Sequence, residues 1–258
     1  MKKLISTLLL VALVAMSVLT FASCEAVTAT AAIAKADKAL AENPYTVTMS
    51  MDFNCDDATL NQVFDALSME FPVTFDGKNM AVNMSMDIME GMSASVKMSV
   101  VDSVLYYDMT LFGEAIKMKA TLNEEQYNEF MEDSNSEMPI DAASFETLTM
   151  ETVDGKQVIT CTGISTEGLT AMNDLLSESL VAVGADASVG DLSFVITVND
   201  GKYESMALTA AYSVTIEGQT YTVSMTMNAT YTYEEVQPIT APADADSYEE
   251  VNFDELMG

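Results

Sequence analysis

Between Met80 and Leu122 the chain alternates apolar and polar side chains almost without a break. Met80, Val82, Met84, Met86 and Ile88 lead to Met92, Ala94, Val96, Met98 and Val100. Val104, Tyr106, Ile116, Met118, Ala120 and Leu122 follow, with Asn, Ser, Asp and Lys mostly in between. A period of two sends successive side chains to opposite faces of a pleated strand. An antiparallel sheet with one wet and one apolar face requires that pattern.

The same period predicts a strand over Tyr45–Cys55, where Val47, Met49, Met51, Phe53 and Cys55 share one side, and another over Met69–Phe75. Two more flank Asp154-Gly155. A closing meander carries Leu192, Phe194, Ile196 and Val198, then Met206 to Ile216, then Tyr221, Val223, Met225, Met227, Ala229, Tyr231 and Tyr233. Asp76-Gly77, Asp154-Gly155 and Asp200-Gly201 are tight-turn pairs between them.

Helical spacing occurs in shorter stretches. An Ala-rich segment over 26–42 ends before Pro44, and 57–68 places Leu60, Val63, Phe64 and Leu67 on one face. Asn123 followed by Gln126 forms a capping-box-like start. From Ser165 to about Val183, Leu169, Met172, Leu175, Leu176 and Leu180 make a broad apolar stripe that Gly184 can cap. About ten or eleven strands of roughly 26–40 Å make a wide sheet whose apolar side must be curled over or covered. The expected fold class is therefore α+β: a strongly curved antiparallel sheet, a half-open β-barrel, with about three helices on its concave side.

Composition narrows the function. The chain has 258 residues, 49% of them hydrophobic, enough for a substantial core despite a net charge of −30. All ten basic residues are lysines, and there is no Arg, His or Trp. A nucleic-acid partner is excluded by charge repulsion. Without His, the usual general base and the commonest zinc ligand are both missing. Gly163-Ile164-Ser165-Thr166-Glu167-Gly168 is not a nucleophile elbow, and no phosphate-binding glycine loop is present. Carboxylate pairs such as Glu124-Glu125 and Glu234-Glu235 are adjacent, exposed and suited to solvation. No enzymatic activity, cofactor or metal site is expected.

The N-terminus reads as an address. Lys2 and Lys3 precede an uncharged apolar run from Leu4 to Ala22, then Ser23-Cys24. These are the parts of an export signal. Export would permit a bridge between Cys55 and Cys161, and the sequence leaves that bridge and two buried thiols equally open.

Phe21-Ala22-Ser23-Cys24 resembles the lipobox of bacterial lipoproteins, which implies diacylglycerol on Cys24. Add the helix ending in Asn43-Pro44-Tyr45, the Met/Thr/Ser meanders, and the tail Ile239-Thr240-Ala241-Pro242 with Asp246-Ser247-Tyr248. The whole then resembles the LolA/LppX-like lipoproteins, Gram-positive type. That resemblance implies a half-open barrel whose helix-lidded concave face holds acyl chains. The arginine that closes the lid in some members has no counterpart here. The implied organisation is a signal peptide at 1–23, a tether and helix at 24–44, the β domain at 45–236 and an acidic tail at 237–258. The implied place is the outer face of the cytoplasmic membrane, as a monomer held by lipidated Cys24.

The expected function is binding of a lipid or other hydrophobic ligand. The expected cavity lining is Met49, Met51, Phe53, Met84, Met86, Met98, Leu169, Met172, Leu176, Met225 and Met227, because unbranched thioethers adapt to irregular shapes. Two alternatives stand beside it: a surface structural or adhesive module with a filled core, and Cu(I) binding by the pairs Met49/Met51, Met84/Met86 and Met225/Met227.

Overall fold

The computed structural model describes residues 29–57, 61, 69–89, 92–111, 113–135, 145–165, 186–216 and 219–253. Its described strands form one open, curved sheet of twelve, with two α-helices. In chain order these are α1 (29–42), β1 (Tyr45–Cys55), β2 (Met69–Phe75), β3 (Met80–Met89), β4 (Met92–Val101), β5 (Val104–Leu111) and β6 (Glu114–Thr121). Next come α2 (Glu124–Asn135), β7 (Phe145–Val153), β8 (Lys156–Ile164), β9 (Asp186–Asn199), β10 (Lys202–Ile216), β11 (Gln219–Thr232) and β12 (Glu249–Glu250).

Across the sheet the order is β12-β6-β5-β4-β3-β2-β1-β11-β10-β9-β8-β7. Two meanders, β1–β6 and β7–β11, thus stand side by side, stitched by the antiparallel pairing of β1 with β11. Every pairing is antiparallel except the two-residue parallel contact of β12 with β6.

Local chemistry explains the turns. Asp102-Ser103, Asp154-Gly155 and Asp200-Gly201 all have positive φ at both positions, the geometry whose twist matches flanking antiparallel strands. At Gly201 the positive φ is the reason for glycine; the Lys35 side chain of α1 lies over it and could swing aside for a Cβ. The expected capping box at the start of α2 forms reciprocally. Asn123 N–H donates to Gln126 Oε1 at 3.0 Å, and Gln126 N–H to Asn123 Oδ1 at 2.9 Å.

The two described helices are fewer than the three expected. The segments expected to be helical at 57–68 and 165–183 lie outside the described residues, apart from Asp57, Asn61 and Ser165. Among the described residues no helix is long and apolar enough to cross a membrane.

The acidic tail is mostly exposed and attached along the sheet. Ile239 N–H donates to Asp76 Oδ2 at 2.8 Å, and Lys117 pairs with Asp244 at 2.6 Å. Tyr248 is buried edge-on against Tyr106, ring centroids 5.5 Å apart, and Val251 N–H donates to Lys119 O at 2.9 Å. The tail crosses from the β2–β3 turn to the free edge of β6 and covers part of it. Edge strands expose unpaired donors and acceptors, so this cover protects a vulnerable flank.

Candidate functional site

Register determines which side chains share a face, and here it aligns apolar positions across the sheet. One row runs Tyr231, Val47, Val73, Val82, Met98, Tyr107 and Met118, each opposite the next on the neighbouring strand. A second runs Phe71, Met49, Ala229, Met206, Ile196, Ile159 and Met150. A third runs Met69, Met51, Met227, Leu208, Phe194, Cys161 and Leu148. A slip of one residue in any strand would turn its apolar set to the other face.

Burial along these rows is uneven. In β8–β11, Ile159, Leu208, Ile196, Phe194 and Ala229 are all buried, Ile159 at 0% exposure. In the first meander the row nearest the tight turns is closed at Phe75, Met80, Val100, Leu105 and Ala120, and beyond it Val47, Cys55, Val73 and Ala94 are also buried. On β3–β6, one step beyond that row, Val82, Met98, Tyr107 and Met118 are half-buried, as are Met84, Val96 and Met109. Ile116 at the edge is 44% exposed.

The helices sit where the face is closed. α1 buries Ala29, Ala32 and Ala36 and packs Ile33 and Leu40 against the core. The Tyr203 hydroxyl donates to Asp37 Oδ1 and pins it there. α2 packs Tyr127, Phe130 and Met131 against the core, and its Tyr127 hydroxyl donates to the Lys78 carbonyl in the β2–β3 turn.

Of the residues expected to line a cavity, Met49, Met51 and Phe53 of β1 and Met225 and Met227 of β11 share one patch of this face. Met51 lies opposite Met227 and Phe53 opposite Met225. Met84 lies opposite Val96 on β4, and Met98 opposite Val82 on β3, both farther along the same face. Met86 belongs to β3 and pairs with Ala94. Cys24, Leu169, Met172 and Leu176 lie outside the described residues.

Sequence reading missed an aromatic cluster at the end of β1, β10 and β11. Tyr45 stacks on Phe75 with centroids 4.8 Å apart, and Tyr231 lies 6.1 Å from Tyr45 and 5.7 Å from Tyr203. Lys202 Nζ stands 4.7 Å over the Tyr233 ring. The signal available was Tyr231-x-Tyr233 at core parity, which fixes the face but not the partners. Burial pushes the Tyr233 hydroxyl up to about 12, although the Tyr203 backbone N–H facing it acts in the opposite sense. That hydroxyl has no hydrogen bond within the distance and angle expected of one among the described residues. Burial, then the neighbouring Tyr231 and Tyr233, also raises Tyr45. Outside this cluster, Asn199, Asp200, Lys202, Glu204, Thr232 and Glu234 help line an open recess of about 460 Å³.

Cys55 and Cys161 are free thiols, both buried. They stand on β1 and β8, four strand spacings apart, about 19 Å at the usual separation. A bridge needs Cα atoms within about 7 Å, so the sheet order excludes one. Burial pushes the Cys161 thiol up to about 11. Among the described residues no three Cys, Asp or Glu side chains are grouped to hold a metal ion.

No protein-family model matches the chain, and no curated protein does. Among solved structures it is similar to the Pseudomonas aeruginosa MucA/MucB complex at 11% identity. The match covers 83% of this chain and 100% of that chain, with a TM-score of 0.11, a likeness that carries no argument.

Proposed function

We propose that this protein is an exported lipoprotein, anchored through Cys24, that holds a lipid or another hydrophobic molecule against the apolar face of its sheet. In this reading the sheet is a half-open barrel, the apolar face is its concave side, and the helices are its partial cover. The observation that carries the reading is the unfinished burial of Val82, Met84, Met98, Tyr107, Met109 and Met118 in the first meander. Apolar surface left partly exposed to solvent is unfavourable by about 25 cal/mol for each exposed Å² until something apolar covers it. An acyl chain is narrow enough to lie along such rows and gains that free energy on docking. The N-terminal apolar run and the lipobox-like Phe21-Ala22-Ser23-Cys24 support the membrane tether.

The test is native mass spectrometry of the protein after exposure to a bacterial lipid extract. The carrier reading expects a discrete added mass corresponding to one or a few lipids. The alternative, a structural module with a filled core, draws on the closed packing of β8–β11 and expects the bare protein mass.

A further inference from the structure

The strand register brings methionines together in a way that sequence spacing does not. Met69 of β2 lies directly opposite Met51 of β1, and Met51 lies directly opposite Met227 of β11. Three thioethers therefore stand side by side on three adjacent strands, all on the apolar face. Directly opposed residues have Cβ atoms about 4.5–5.5 Å apart, closer than the roughly 6–7 Å between alternate residues of one strand. The same-strand pairs Met49/Met51 and Met225/Met227 flank this row, so the patch holds five thioethers within one diagonal step.

The sulfurs around the row are not equivalent. Met225 accepts a hydrogen bond from the Tyr212 hydroxyl at 3.9 Å, and Met206 one from the Tyr231 hydroxyl at 3.5 Å. Among the described residues, the sulfurs of Met51, Met69 and Met227 accept none. Met227 is buried, and Met51 and Met69 are half-buried. No carboxylate shares the row, whose next members are Leu208, Phe194, Cys161 and Leu148. A neutral, soft and purely thioether donor set rejects hard divalent ions and selects Cu(I) or Ag(I). Three flexible unbranched arms from neighbouring positions can converge on one ion without moving the backbone.

We infer that Met51, Met69 and Met227 form a three-thioether site for a monovalent soft metal ion, Cu(I). The ion binds as Cu(I) and leaves as Cu(I), with no electron transferred. The −30 charge of the chain raises the local concentration of cations around the site. The site does not depend on the lipid reading, since a metal titration uses no lipid.

The experiment is an anaerobic titration of the full chain, carrying Cys24→Ser, with Cu(I) buffered by a chromophoric chelator. Methyl-13C methionine spectra are recorded in parallel with Ag(I). The expected result is one Cu(I) per chain, with shifts at the Met51, Met69 and Met227 methyls. Affinity should fall about tenfold or more in Met51→Leu and stay unchanged in Met150→Leu, which removes a thioether from the same face but outside the row. Failure of the protein to take copper from the chelator overturns the site. Copper binding that survives Met51→Leu but is lost in Cys161→Ala overturns it too, because a thiol is then the ligand. Leucine conserves size and polarity at both methionine positions, and a matching far-ultraviolet spectrum and urea midpoint show that each variant remains folded.

Discussion

The two meanders use one construction to different ends. Strands β9, β10 and β11 have 14, 15 and 14 residues, while β2 to β6 have 7 to 10. Both halves alternate apolar and polar residues over most of their strands. The second half buries its apolar side at Ile159, Leu208, Ile196 and Phe194, whereas β3–β6 of the first half leave Val82, Met84, Met98, Tyr107 and Met118 only partly covered beyond one closed row. Alternation makes a sheet with an apolar face, and what lies on that face decides whether it becomes core or surface. The first meander, by this contrast, is where a ligand would add contacts that the described residues do not supply.

The largest expected effect breaks the contrast on the stability side. Leu208→Ala should destabilise by about 3–4 kcal/mol, since its row cannot collapse around the cavity. Met84→Ala on the partly covered side should lose less, about 1–2 kcal/mol, because part of the deleted surface already meets solvent. Urea denaturation of both variants reads the difference directly. Equal losses would mean that the two halves are equally packed.

A smaller effect sharpens the picture of the closed half. Cys161, raised to about 11 and buried between Leu148 and Phe194, should be inert to iodoacetamide in the native protein at pH 8. From the thiolate fraction alone, labelling should be about 100-fold slower than in urea, where the ordinary thiol pKa returns. Rapid native labelling of Cys161 would show that β8–β9 opens readily.

The smallest effect concerns the attachment of the tail. Burial pushes the Asp76 carboxyl up, but hydrogen bonds from Ile239, Asn79 and Lys78 outweigh it and hold its pKa below 3.8. A carboxylate depressed in the fold contributes stability that is fully present above its unfolded pKa. That contribution is lost as pH falls through the lower, folded value. The tail around Ile239 should therefore stay protected from proteolysis at neutral pH and loosen only as pH falls below the ordinary aspartate range. Asp76→Asn should shift that protection slightly at pH 7 and flatten its dependence on acid. An unchanged acid profile in the variant would remove Asp76 from the attachment.

Much of the fold was legible because the physics that sets it is local. Period-two runs such as Met80–Met89 and Met92–Val101 announce strands, Asp-Gly pairs announce turns, and Asn123 with Gln126 announces the start of α2. What joins the halves was not legible. The pairing of β1 with β11 links residues about as far apart as Met49 and Ala229, and no local pattern encodes that partner. The same gap left Cys55 and Cys161 unresolved until strand order separated them. Glu249 and Glu250 gave no sign of pairing with β6, since two acidic residues carry no strand signature. For the candidate lining residues, parity agrees with the register that puts Met49, Met51, Phe53, Met84, Met98, Met225 and Met227 on one face, which by itself does not make them a cavity lining. Parity does not report cover, so it could not distinguish Met98 from a sealed neighbour such as Val100.

The measurement that bears most directly on the central claim is photo-crosslinking with a diazirine-bearing fatty acid, followed by peptide mapping. The account predicts label concentrated on β3 to β6, around Met84, Met98, Tyr107 and Met118, and largely abolished by Met98→Lys. Label spread evenly over the surface, or absent while the protein remains folded, would contradict it.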